Sequence, residues 1–91
     1  MTRQHFGISP VPLSPVVRAG DYVFVSGQTP VDASGIIVGN EIGAQTARVL
    51  ENITTVLALA GCEMSDVVKT TVWLKHAEDF PGFNQAYARF F

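Results

Sequence analysis

With 91 residues, the chain has room for one small domain and no second. Of these residues 47% are apolar and 15% charged, against roughly 25% charged in a typical soluble domain, so polar material is too scarce to cover a lone sphere. The net charge of −2 and the scatter of Arg3, Arg18, Arg48, Lys69, Lys75 and Arg89 exclude the basic patch of a nucleic-acid binder and the basic helix of a membrane-surface protein.

The opening MTRQHFGISPVPLSP has no apolar run long enough for a signal peptide or a membrane span. Cys62 is the single cysteine, which rules out an internal disulfide and fits a reducing compartment. A cytoplasmic protein is therefore expected. Pro10, Pro12 and Pro15 alternate in SPVPLSP and predict that residues 1–15 form an extended arm that enters no central strand. Residues 16–91 make up the single domain.

Val16–Ala19 and Tyr22–Ser26 are rich in β-branched and aromatic residues, and Gly20-Asp21 can turn the chain between them, which predicts a hairpin. Ile36–Val38, after a turn at Asp32–Gly35, suits a third strand. From Glu41 to Ala60 the period becomes helical: Ile42, Val49, Leu50, Ile53, Val56, Leu57 and Ala60 form one stripe. Asn40 is the expected cap and Gly61 the expected stop.

Val67–Lys75 returns to β character, with Val68, Thr70, Val72 and Leu74 on the face expected to meet the helices. A last helix follows, capped by Asp79, with Pro81 in its first turn. Phe80, Phe83, Tyr87, Phe90 and Phe91 recur at roughly helical spacing and are expected to face the sheet. The order β-β-β-α-β-α predicts an α+β sheet with two helices on one face.

Most catalytic signatures are absent. His5 and His76 are far apart and no spacing matches a metal site, so both histidines read as ordinary surface or loop residues. Cys62 follows a helix-ending glycine rather than sitting at a helix N-terminus, and reads as a small buried filler. Ser26-Gly27-Gln28, at the end of an apolar strand, is more suggestive. A glycine there lets a ligand approach the backbone, and strand-end amides can bind an oxyanion; a turn with a locally bonded serine is the plainer alternative. Asn84 borders the apolar face of the last helix, where its amide needs either backbone or a polar ligand as partner. Gln45 and Asn52, flanking the first helix's stripe, read as structural.

Taken in order, YVFVSGQTPV, AQTARVLENITTVLALAGCEMSDVVKTTVWLK and DFPGFNQAYARFF resemble the reactive-intermediate deaminase family, also called Rid, YjgF or endoribonuclease L-PSP. The resemblance runs from about Pro12 to Phe91. It implies a chorismate-mutase-like mixed sheet of about six strands with two helices on one face, assembled as a homotrimer with ligand sites between subunits. It also implies hydrolysis of reactive enamine or imine acids, such as 2-aminoacrylate, to a 2-keto acid and ammonia, with no metal or organic cofactor.

By motif, the family's pocket serine corresponds to Ser26 and its asparagine to Asn84, with Gly27 as a backbone lining residue. Leu13 stands where the family usually has a tyrosine. The family's carboxylate-clamping arginine and water-positioning glutamate lie in strands after the second helix and match nothing in this sequence; Arg18, Arg48 and Arg89 fall at other positions. The sequence is accordingly expected to be part of a longer protein, and deaminase activity is conditional on those two residues. If 91 residues were the whole product, the clamp would be lacking. Two other functions stay open: a non-catalytic trimeric module for a small carboxylate or a protein partner, and the endoribonuclease activity of the older family name, which the scattered bases disfavour.

Overall fold

A computed structural model describes residues 2–91. Strands β1 (Arg3–Phe6), β2 (Val16–Ala19) and β3 (Tyr22–Val25) form one antiparallel sheet in the order β1-β2-β3. Helix α1 (Ile42–Leu59) packs on β2, β3 and helix α2 (Phe80–Tyr87), which completes an α+β layer. Short 3₁₀ turns at Met64–Asp66 and Ala77–Asp79 punctuate the connection between the helices.

The hairpin forms as the sequence predicts. Gly20 adopts φ of 63° at the first position of the two-residue turn, a conformation that matches the twist of the flanking strands and favours glycine. Ala19 then pairs with Tyr22 and Val16 with Val25. The register puts Phe6, Val16, Val23 and Val25 on one face, while His5, Val17, Tyr22 and Phe24 share the other. Val16 is fully buried on the first face, whereas Tyr22 and Phe24 stand exposed on the second.

The arm contributes β1, an edge strand that pairs with β2 ahead of the prolines and leaves Pro10, Pro12 and Pro15 outside the ladder. Two expectations about the strands are corrected. The run Ile36–Val38 shrinks to an isolated bridge between Val31 and Ile37, because the Asp32 carboxylate accepts from the Ser34 and Ile36 amides and curls the chain. Val67–Lys75 joins no ladder: among the described residues no strand lies alongside it, and Val68 and Trp73 are about nine-tenths exposed. The three described strands pair antiparallel and the element order is β-β-β-α-α, within the α+β class with two helices that the sequence predicts.

Helix α1 keeps its predicted stripe, with Leu50 and Leu57 buried and Thr46 buried beside them. Its cap is Glu41 rather than Asn40: the Glu41 carboxylate accepts from the Gly43 and Ala44 amides, satisfying two donors that the helix cannot. Gly61, at φ of 72°, closes the other end. The Cys62 amide reaches back to the Leu57 carbonyl and the Gly61 amide to Ala58, both at 3.0 Å.

In α2, Asp79 occupies the cap position but makes no side-chain bond, because the preceding 3₁₀ turn already leads the chain into the helix. Phe80, Phe83, Tyr87 and Phe91 pack in succession along the helix, with Tyr87 and Phe91 beside the Val67–Thr70 run. Phe83–Tyr87 and Tyr87–Phe91 ring centroids lie 5.0 and 4.7 Å apart, and Phe80 and Phe91 are about half exposed. The face that meets α1 is built from small residues. Ala86 is buried, and a β-carbon on Gly82 would lie 2.6 Å from Ile42 Cγ2. Ile42 is β-branched and cannot swing that methyl aside without turning its whole side chain. Gly82→Val is therefore expected to force the helices apart and lower stability by about 1–3 kcal/mol, read as a fall in the denaturant midpoint.

Candidate functional site

Strand β3 ends at Val25, and the next three residues leave the sheet under tight control. The Ser26 amide donates to the Pro15 carbonyl at 3.0 Å, extending the β2–β3 pairing by one step. The Ser26 hydroxyl donates to the Ser14 carbonyl at 2.6 Å, and Gln28 Nε2 donates to the Ser26 carbonyl at 3.1 Å. Ser14 is tied in turn to β1, with its Oγ 2.7 Å from His5 Nδ1. Ser26 is half-buried in this web, while Gly27 is exposed and a β-carbon there would meet nothing within 4 Å. The strand end thus presents rigid backbone beside open space.

Beyond Gln28 the chain is pinned to α1. Arg48 Nε donates to the Val31 carbonyl at 2.9 Å, and Asn52 Nδ2 reaches the Thr29 and Val31 carbonyls at 3.1 and 3.0 Å. Gln45 Nε2 holds the Gly39 carbonyl at 3.1 Å. Gln45 and Asn52 are therefore structural, as the sequence suggested, and Arg48 has its guanidinium engaged on backbone.

Of the sequence-predicted site residues, the structure brings together the arm and the strand end. Leu13, half exposed, precedes the Ser14 that receives the Ser26 hydroxyl. Asn84 lies elsewhere. It is exposed on α2, two residues from the buried Ala86 and so on the opposite side of the helix from α1. Among the described residues its side chain has no hydrogen-bond partner, and no bond or shared cavity links it to Ser26.

Two shallow depressions form away from Ser26. One, of about 290 Å³, lies between the start of α1 and α2 and includes Glu41, Gln85 and Arg89. The other, of about 280 Å³, runs between Val67–Thr70 and the Tyr87 and Phe91 rings, where Thr70 Oγ1 and Tyr87 Oη are 2.7 Å apart. Neither gathers acid, base and nucleophile. Among the described residues no three His, Cys, Asp or Glu side chains are placed to hold a metal ion, and no helix is long and apolar enough to cross a membrane. Cys62 is half-buried, its thiol 3.7 Å from the Ala60 carbonyl, so the expected buried filler is only partly enclosed.

The sequence reading missed the parts played by Ser14 and His5. Neither residue is diagnostic alone; their roles arise from pairing β1 with β2, which places residue 5 within reach of residue 14.

The family model described as endoribonuclease L-PSP matches residues 8–91. The chain belongs to the endoribonuclease L-PSP family. It is 44% identical over 81 residues to a RutC family protein of Pyrococcus horikoshii, covering 88% of this chain and 64% of that one. It is 37% identical over 86 residues to the 2-iminobutanoate/2-iminopropanoate deaminase of Salmonella typhimurium, covering 91% and 67% respectively. The chain thus spans about two-thirds of the length of these L-PSP relatives. The crystal structure of Escherichia coli TdcF with bound serine has the same fold, with a TM-score of 0.87 at 29% identity over 96% of this chain and 72% of that one.

The local bonds around the strand end give a direct test of its rigidity. Asn52→Ala removes both of its bonds to the Thr29 and Val31 carbonyls, and is expected to cost about 1–3 kcal/mol in denaturant unfolding. Gln45→Ala removes one exposed bond and should cost about 1 kcal/mol or less.

Proposed function

We propose that this protein hydrolyses small enamine or imine acids of the 2-aminoacrylate type to 2-keto acids and ammonia. The reading rests chiefly on the match, across most of the chain, to a protein named 2-iminobutanoate/2-iminopropanoate deaminase. The braced strand end at Ser26 and the open space over Gly27 are compatible with a small ligand approaching backbone there.

In this proposal Ser26, Gly27 and Asn84 line the pocket, and Leu13 occupies its tyrosine position. Asn84 lies apart from Ser26 within one chain, so the pocket is assembled between subunits of a homotrimer, with one subunit contributing the strand end and its neighbour α2. The exposed Tyr22, Phe24 and Trp73 give such an assembly apolar surface to bury.

The chemistry asks little of the protein beyond orientation. Water adds to the electrophilic imine carbon, and the resulting carbinolamine expels ammonia and leaves the keto acid. One water is consumed, one ammonia leaves, and no electrons are transferred. The pocket must hold the carboxylate, place the water and stabilise the carbinolamine. The cation for the carboxylate and the group that activates water come, in this proposal, from outside residues 1–91. A small-carboxylate-binding module without turnover is the second reading, favoured by Leu13, which offers no hydroxyl at the position of the family's tyrosine.

The test uses the full-length assembled protein with 2-aminoacrylate generated in situ by a pyridoxal-dependent lyase. Ammonia release is expected to rise above the uncatalysed rate, and Asn84→Ala is expected to lower kcat/KM by about 10–100-fold through loss of one polar contact. No acceleration by the assembled protein would sink the proposal. A bound acid without turnover would support the binding module instead.

A further inference from the structure

Both donor hydrogens of Ser26 are accounted for inside the fold. Its amide hydrogen goes to the Pro15 carbonyl, its carbonyl receives Gln28 Nε2, and its hydroxyl hydrogen goes to the Ser14 carbonyl at 2.6 Å. The direction of the last bond is unambiguous, because a carbonyl oxygen only accepts. Turning the hydroxyl hydrogen outward would strip that bond from the half-buried Ser14, which the His5 contact holds in place. A serine oxygen has one hydrogen and two lone pairs, so only lone pairs remain for anything that arrives from outside.

We infer that Ser26 meets its ligand as an acceptor only, and that it reads the nitrogen end of the substrate rather than its carboxylate. The inference rests on the function proposed above and adds an orientation to it. A carboxylate offers lone pairs alone, and facing the Ser26 oxygen it would set acceptor against acceptor. An imine, enamine or ammonium nitrogen carries a hydrogen and can donate. The favoured ligands are therefore small acids with a hydrogen-bearing nitrogen on the carbon next to the carboxylate. Hydrolysis then has a built-in consequence. Replacing C=NH by C=O removes the donor, so the keto acid loses this contact when it forms and binds more weakly than the nitrogen compound it came from.

L-alanine and pyruvate test this, since they share a carboxylate and a methyl group and differ at the central carbon in bearing ammonium or keto oxygen. Calorimetric titration of the full-length assembled protein is expected to show alanine bound about tenfold more tightly than pyruvate, the worth of one hydrogen bond to a charged group. Ser26→Ala should weaken alanine by about tenfold while leaving pyruvate within about twofold, and Ser26→Thr, which keeps an oxygen, should retain the preference. Equal affinity of the unmodified protein for both ligands would overturn the inference without any variant. So would a Ser26→Ala protein in which pyruvate weakens as much as alanine, or in which neither affinity changes. These results leave the proposed reaction standing. If the unmodified protein binds neither acid the inference falls, while ammonia release from 2-aminoacrylate decides the proposed reaction separately.

Discussion

The arrangement around the strand end depends on a polar clamp from helix α1. Arg48 and Asn52 grip the carbonyls of Thr29 and Val31, which fastens the segment leaving the sheet to the helix that covers it. Residues 26–28 are thereby held at both ends, by the β2–β3 ladder before them and by α1 after them. Burying apolar side chains alone would press helix and sheet together without fixing how the chain leaves β3, because hydrophobic contact has no direction. Hydrogen bonds supply that direction. Each one satisfies a backbone carbonyl that otherwise has no strand partner, which gives a connection without a ladder the order of one that has it.

The same division of labour governs the helix pair. Gly82 and Ala86 give α2 a small surface toward α1, and Ile42 packs closely on Gly82. The large rings of α2 are left on another side, where they stack along the helix. The buried core is accordingly small, comprising Val16, Leu50, Leu57 and Ala86 with Thr46. A core of this size leaves many apolar groups at the surface, consistent with the low charged fraction of the chain.

Much of this was legible in the sequence because it is local. The hairpin at Gly20-Asp21, the stripe of α1, its stop at Gly61 and the structural role of Gln45 all follow from residues close together in the chain or from one helical period. What escaped depends on partners distant in sequence. Propensity gave Val67–Lys75 the character of a strand, but a ladder also needs a neighbour, and none is present among the described residues. The arm's β1 was hidden by the prolines that follow it, and the link from His5 through Ser14 to Ser26 appears only once three strands are aligned. Ser26, Gly27 and Asn84 stood out by their places on a strand end and a helix face, whereas Leu13 and the pocket roles of all four came from resemblance. The structure gathers the arm and strand end but leaves Asn84 apart.

The unladdered run has a consequence for the behaviour of the chain at high concentration. Its β-branched and aromatic residues and exposed backbone are what one strand offers to another chain. Lys69 and Lys75 bracket the uncharged TTVWL stretch between them. Were identical runs to stack in parallel register, each lysine would lie against its own copy, where like charges repel. In such a stack Lys69 and Lys75 would oppose fibrous self-association, and salt, by screening them, would weaken that opposition.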